Sequence, residues 1–161
     1  MTQPRTPGDT DVTPTDFADF YKRAWPGAVR LAGLLTQDAR AAEDVAQEAF
    51  TRVLPKWAQV ENPNAYLRTA VVNACRSWQS RRHTERMKLP LVASAGSTEL
   101  AFDVLADAVA ALPYRQRAAL VLRYHIGLSE AEIADALGCR PGTVKSLTSR
   151  ALDALRKGIE P

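Results

Sequence analysis

The sequence predicts an all-α protein built as two small helical domains joined by a flexible linker, the second of them a helix-turn-helix domain. The composition favours helices, because hydrophobic residues make up 46% of the 161 residues and aromatic residues only 7%, which implies an aliphatic, alanine-rich core. Apolar residues recur at helical spacing, and no segment shows a strong strand pattern. A stretch rich in Pro, Gly and Ser interrupts this periodicity and predicts the linker.

The periodicity divides the chain into four segments. Residues 1–12 are polar and contain two prolines and a glycine, which predicts a disordered tail. The first domain is expected over residues 13–86, the linker over residues 87–99 and the second domain over residues 100–158. After the linker, helical patterns cover Leu100 to Leu112 and Tyr114 to His125.

Start and stop signals place three helices in the first domain. The first begins at Thr13-Pro14-Thr15-Asp16, and Pro26-Gly27 predicts a kink or break within it. The second runs from about Ala39 to Leu54 and is stopped by Pro55, and the third begins at Asn62-Pro63. The second helix is apolar on one face and carries Glu, Asp and Gln on the other.

Charge is distributed unevenly along a chain whose net charge is only +3. The basic residues between Arg68 and Lys88 are opposed only by Glu85, and those between Arg140 and Lys157 only by Asp153. Two basic patches indicate two separate contacts with a polyanion, although two solvated helix faces would give the same pattern.

The remaining signals argue against catalysis, cofactors and metals. Cys75 and Cys139 are far apart and, with only His83 and His125 besides, lack the spacing of a zinc site. We find no Gly-rich phosphate loop and no convincing nucleophile–base pair. The sequence contains no apolar run long enough to span a membrane and no charged-then-apolar leader pattern, so we expect a cytoplasmic protein without membrane insertion.

The segment after Gly127 has the spacing of a helix-turn-helix. Ser129 and Glu132 form a predicted capping box, Gly138 ends this short helix, and Arg140-Pro141 opens the next one. The second helix presents a polar and basic outer face, as a recognition helix does. An ordinary helical hairpin with a basic solvent face is the alternative.

Three blocks of this sequence together resemble the sigma factor family of bacterial RNA polymerase, in its extracytoplasmic-function branch. Ala42–Phe50 resembles the polymerase-binding helix of sigma region 2, and Ala65–Asn73 followed by Arg81-Arg82 resembles the −10 part of that region. Leu112–Ser146 resembles region 4, which binds the −35 element. The blocks occur in the order and spacing of the family and are similar to actinobacterial sigma-E-type members.

The resemblance implies that the acidic helix binds core RNA polymerase, on the clamp helices of its largest subunit, and that the second domain meets the polymerase flap. The implied polymerase-binding residues are Glu43, Asp44, Gln47 and Glu48. A plain solvated face is the alternative. The sequence leaves open whether the two domains of the free protein fold together or are clamped by an anti-sigma factor.

For the −10 element, the resemblance implies contacts with promoter DNA that is first double-stranded and then melted. The implied residues are Asn62, Asn64, Arg68, Asn73, Arg76, Arg81 and Arg82. The loop Val60–Asn64 would receive an unpaired base. Trp78 could serve as a stacking wedge, but its register with Leu67 and Val71 favours the core.

For the −35 element, the implied contacts lie on the recognition helix. They are Arg140, Thr143, Lys145, Ser146, Leu147, Ser149 and Arg150. Many relatives carry Arg-Leu where Leu147-Thr148 stands here, so we expect Leu147 to meet a thymine methyl group. A free-standing transcription regulator with the same helix-turn-helix, and a small helical enzyme or scaffold, are the competing functions.

Overall fold

The computed structural model describes residues 14–88 and 102–159, and all of the regular structure in those ranges is helical, which confirms the all-α prediction. The predicted tail and all but Met87 and Lys88 of the predicted linker lie outside the described residues. The elements are α1 (Pro14–Thr36), α2 (Ala39–Val53), a 3₁₀ helix (Leu54–Gln59), α3 (Pro63–Lys88), α4 (Phe102–Ala111), α5 (Tyr114–Tyr124), α6 (Glu130–Leu137) and α7 (Pro141–Ile159).

The first domain consists of α1, α2 and α3, which pack against one another around an aliphatic core. Leu35, Val45, Val53 and Val71 are among the side chains in this core that are almost inaccessible to water. Burying each side chain of this kind stabilises the fold by about 1.5–3 kcal/mol before entropy is counted. At one end of the bundle, Phe50 and other aromatic rings close the core.

The break predicted at Pro26-Gly27 is wrong, because α1 is continuous from Pro14 to Thr36 with Pro26 inside it, and the kink stays a prediction. Pro26 and Gly27 lie on the exposed side of the helix, whereas Ala28 and Leu31 just beyond them are buried. Proline removes one helical hydrogen bond at this point. Burial of the opposite face, rather than local propensity, therefore keeps the helix continuous.

The second helix begins one residue after an N-cap that the sequence patterns did not reveal. The Asp38 carboxylate accepts hydrogen bonds from the backbone N–H groups of Arg40 (3.0 Å) and Ala41 (3.1 Å). The chain turns into it through Gln37, whose φ of 55° lies in the left-handed region. This turn sets α1 and α2 side by side.

The second domain consists of α4 to α7 and contains the predicted helix-turn-helix. The capping box is confirmed: Ser129 N–H donates to Glu132 at 2.8 Å, and Glu132 N–H donates to the Ser129 hydroxyl at 3.2 Å. Gly138 ends α6 with a φ of 62°, which a residue with a Cβ rarely adopts. Ala134 on α6 and Val144 on α7 are buried where the two helices meet.

The two domains pack together, through α5 and α6 against α1 and α3. Buried side chains of both domains form one continuous hydrophobic cluster. Two polar side chains of α5 also cross the boundary: Tyr114 donates to the Val72 carbonyl at 2.7 Å, and Arg117 donates to the Leu35 carbonyl at 3.0 Å. We call this packing the closed arrangement.

We predict that Ser129→Ala destabilises the protein by about 1 kcal/mol, because the N–H of Glu132 loses its acceptor. Urea unfolding monitored by circular dichroism measures the change. Ser129→Asp is the control, because a carboxylate also caps a helix, and it should retain most of the stability. Equal stability of Ser129→Ala and the wild type would contradict the role of the cap.

Candidate nucleic-acid interface

The predicted polymerase-binding residues form one polar face of α2. Glu43, Asp44 and Gln47 are exposed, and Glu48 is half-buried. Gln47 accepts a hydrogen bond from the Tyr21 hydroxyl at 3.0 Å. Glu48 pairs with Arg52 and lies 3.6 Å from Arg81. The exposed acids are thus Glu43 and Asp44, while Glu48 and Gln47 are tied to neighbouring side chains.

The basic residues of α3 fall into two groups. Arg76 and Arg81 are exposed, and Arg76 donates to the Asn73 side chain at 3.3 Å. Arg82 is half-buried; it forms an ion pair with Asp38 at 2.8 Å and lies 5.1 Å from the centre of the Trp78 ring. Trp78 packs against the core, as its register predicted.

The loop before α3 borders a cavity of about 510 Å³, which is within the usual range for small-molecule sites. Val60 and Asn62 lie on its wall, together with Tyr66 from the first turns of α3 and Lys56 from the 3₁₀ helix. The Asn62 side chain also caps α3, accepting from Ala65 N–H at 3.1 Å. The cavity offers an aromatic ring, a cation and amide groups to an occupant.

Two other predicted residues, Asn64 and Arg68, face a second cavity, which lies between the domains. Ile126 from the second domain lines the same cavity. Arg68 is half-buried and lies close enough to Glu132 to lower the pKa of that carboxyl group, although the hydrogen bonds from Ser129 lower it more. The closed arrangement therefore covers part of the predicted −10 surface.

The recognition helix α7 leaves its predicted contacts open to solvent. Six of the predicted residues are exposed: Arg140, Thr143, Lys145, Ser146, Ser149 and Arg150. Leu147 is half-buried against the core cluster. Lys145 lies 3.9 Å from Glu130 across the turn, a weak surface pair that leaves its ammonium group available.

Sequence reasoning missed the residues that join the two domains. The Arg117 guanidinium is 3% exposed and donates to the Ala110 (2.9 Å) and Leu112 (3.1 Å) carbonyls as well as to Leu35. These carbonyls lie at the C-terminal ends of α4 and α1, where backbone acceptors lack helical partners and the helix dipole is negative. Burial lowers the pKa of Arg117, yet an arginine remains charged at neutral pH.

Tyr114 is the second missed residue. Burial raises the pKa of its phenol above the ordinary range, so the hydroxyl stays neutral and donates to Val72. No sequence signal pointed to either role, because Tyr114 and Arg117 fit an amphipathic helix equally well as surface residues. Lys56 and Tyr66 beside the loop cavity were also missed; their closeness to Asn62-Pro63 was a signal that could have found them.

Both domains match known families. The chain matches the family described as Sigma-70 region 2 over residues 20–85, and Sigma-70 region 4 over residues 102–155. Together with the relatives below, these matches show that the chain belongs to the sigma-70 family of sigma factors, in its extracytoplasmic-function branch. Such proteins are non-catalytic subunits of RNA polymerase that direct promoter recognition and transcription initiation.

Curated relatives cover both domains. The chain is 33% identical over 153 residues to the RNA polymerase sigma-E factor of Streptomyces avermitilis, which covers 90% of this chain and 86% of that protein. It is 33% identical over 153 residues to the ECF RNA polymerase sigma factor SigC of Mycobacterium tuberculosis, covering 88% and 82% respectively. The predicted family and the sigma-E-type similarity are confirmed.

Solved structures share the fold. The sigma factor RpoE, crystallised with the anti-sigma factor NepR from Bartonella quintana, is 26% identical and superposes with a TM-score of 0.73 over 90% of this chain and 97% of that one. CnrH in complex with the cytosolic domain of CnrY has a TM-score of 0.67 over 91% and 89%, at 19% identity, and shows the fold alone.

The described residues contain neither a membrane-spanning helix nor a metal-binding cluster. Between 14 and 88 and between 102 and 159, no helix is long and apolar enough to cross a membrane. The same ranges hold no group of three or more His, Cys, Asp or Glu side chains placed to bind a metal ion. Burial raises the pKa of the Cys75 thiol to about 12, so this cysteine is a core residue rather than a thiolate.

We predict that Asp38 makes stability depend on acid pH. The Ala41 N–H, then Arg82 and the Arg40 N–H, lower its pKa below the ordinary 3.8. Since the folded-state pKa is depressed, the stabilisation is present above pH 3.8 and is lost as the pH falls through the folded-state value.

Asp38→Asn tests this, because asparagine still caps the helix but cannot pair with Arg82. The melting temperature of the variant should fall below that of the wild type at pH 7, and the difference should shrink in acid. Asp153→Asn, in an exposed pair with Arg156 on α7, is the control. A difference between wild type and Asp38→Asn that stays constant down to pH 2 would contradict the ion pair.

Proposed function

We propose that this sigma factor binds core RNA polymerase through the acidic face of α2 and reads promoters at two elements, −10 through α3 with the preceding loop and −35 through α7. The observation that supports this best is the separation of charge on one chain. The exposed acids Glu43 and Asp44 lie side by side on α2, while cations predominate among the exposed charged residues of α3 and of the N-terminal part of α7.

The acidic face fits a basic partner surface. Glu43 and Asp44 are both exposed and lie on the polar side of a helix whose other side is fully buried. Charges in this position stabilise little within the protein. They instead steer and orient a partner of opposite charge, which we take to be the clamp helices of the largest polymerase subunit.

The second polymerase contact that we propose is the flap, on an apolar patch of the second domain. Val104 and Leu105 of α4 and Ile159 of α7 are each about half exposed, with 50%, 52% and 49% of their surface open. The two helices contact each other. Large apolar side chains grouped on one surface favour a partner protein over solvent.

The loop cavity supports capture of an unpaired base. Its volume of about 510 Å³ accommodates a nucleobase, Tyr66 offers a ring for stacking, and Lys56 offers a cation for the adjoining phosphate. Stacking of a base on an aromatic ring contributes about 1–3 kcal/mol, which offsets part of the cost of unstacking the duplex. Arg76 and Arg81 are exposed further along the same helix, where they can follow the strand.

Two further proposals follow from the family. We place the protein in the cytoplasm, because its polymerase partner is there. We also propose an anti-sigma factor as a regulator, because the structural relative RpoE was crystallised with the anti-sigma factor NepR.

The test of the proposed function is run-off transcription with purified core polymerase. Glu43→Lys/Asp44→Lys should bind core polymerase at least tenfold more weakly and lose promoter-specific transcripts, because two attractive charges become repulsive. Asp135→Lys, an exposed acid on α6, is the control and should bind normally. Full activity of the double variant would remove the role of the acidic face, and no transcripts with wild-type protein would contradict the function itself.

We further predict that Lys145→Ala and Arg150→Ala each weaken binding of the −35 element by about 1–3 kcal/mol if they contact base edges. Arg156→Ala is the matched control, because Arg156 is an exposed cation near the other end of the same helix. Footprint titrations of a −35 duplex measure the effect. An equal loss in Arg156→Ala would show a general charge effect and contradict the proposed orientation of α7.

A further inference from the structure

A cavity of about 260 Å³ lies between the two domains, away from the loop cavity and from the recognition helix. Its walls come from the C-terminal end of α1, the last turns of α3, and α4 and α5 of the second domain. The polar side chains that line it are Thr36, Gln37, Gln79, Arg82, His83, Arg86 and Arg117. Of the residues that the resemblance implies for promoter contact, Arg82 lines this cavity and the others lie outside it.

The cavity has an excess of positive charge. Of the three arginines, Arg82 is neutralised by Asp38 at 2.8 Å. Arg86 and Arg117 have no carboxylate within 4.0 Å in the described part of the chain, although carbonyl oxygens at two helix ends partly offset Arg117. A cationic concavity with low-dielectric walls concentrates anions.

The cavity also has hydrogen-bonding capacity that the protein does not use. The Gln79 side-chain oxygen is buried without a partner among the described residues, and a buried amide of this kind favours an occupant that completes its hydrogen bonds. Because the amide can turn over, it can present either its oxygen or its NH₂ group. His83 and Arg86 are exposed at the rim and can close over a bound group.

We propose that this cavity binds a small phosphate-bearing anion and that its occupation stabilises the closed arrangement. Guanidinium groups match the oxygens of a phosphate with paired hydrogen bonds. The volume lies just below the usual range of about 300–1,000 Å³ for drug-sized ligands, so a phosphate, a pyrophosphate or the phosphate end of a nucleotide fits better than a larger molecule.

Ligand binding is coupled to the closed arrangement because both domains contribute residues to the cavity wall. Arg82, His83 and Arg86 belong to the first domain, whereas Ala110 and Arg117 belong to the second. The site therefore exists only while the domains are packed together. A ligand that binds only this arrangement shifts the population toward it by mass action.

The test is thermal unfolding and calorimetric titration of the full chain with inorganic pyrophosphate, with sodium chloride at equal ionic strength as the reference. At ten times its dissociation constant, pyrophosphate should raise the melting temperature by about 3–6 °C more than the chloride does. ADP at the same concentration distinguishes the source of the phosphate. Equal affinity means that the phosphates alone are recognised, and tighter binding of ADP assigns the site to nucleotides.

Variants of the rim identify the site without disturbing the core. Arg86→Gln and His83→Gln/Arg86→Gln should weaken pyrophosphate binding at least tenfold. Arg81→Gln removes one charge from an exposed position of the same helix outside the cavity and should bind within twofold of the wild type. A wild-type response no larger than that to chloride, or an equal loss in Arg81→Gln, would overturn the proposal.

Discussion

Arg117 lies between the two domains with 3% of its surface exposed, and it keeps its charge there because carbonyl oxygens at the ends of α1 and α4 surround it. A buried cation is costly unless its hydrogen bonds are made. These bonds require the end of α1 and the end of α4 to meet at one point. Directional polar contacts therefore fix the orientation of the second domain on the first. Apolar packing alone would define this orientation less well.

This orientation has different consequences for the three functional surfaces. The acidic face of α2 and the outer face of α7 remain exposed, whereas Arg68 on α3 is half-buried near Glu132. Under the proposed function, the polymerase can engage α2 while the protein is closed. Full contact of α3 with a melted strand requires Arg68 to leave its position beside the second domain.

Much of the fold could be predicted from the sequence, because the signals that start and end helices are local. The Ser129–Glu132 capping box and the left-handed Gly138 depend on residues within one turn, and both are present in the structure. Pro26 is a local signal that tertiary packing overrode. The Asp38–Arg82 pair and the Arg117–Leu35 bond join residues 44 and 82 positions apart, so no periodicity could reveal them. The helices and their ends were therefore predictable, and the packing of the two domains against each other was not.

The polar contacts between the domains contribute a free energy that a binding partner can offset. Within residues 14–88 and 102–159, one charged and one neutral hydrogen bond cross between the domains, from Arg117 and Tyr114, and bonds of these kinds contribute about 1.5–3 and 0.5–1.5 kcal/mol. A partner present at 1,000 times its dissociation constant supplies about 4 kcal/mol by mass action, which is comparable to these two bonds together. An anion at ten times its dissociation constant adds about 1.4 kcal/mol to the closed side. That amount changes the ratio of closed to open molecules tenfold without preventing a strong partner from opening them.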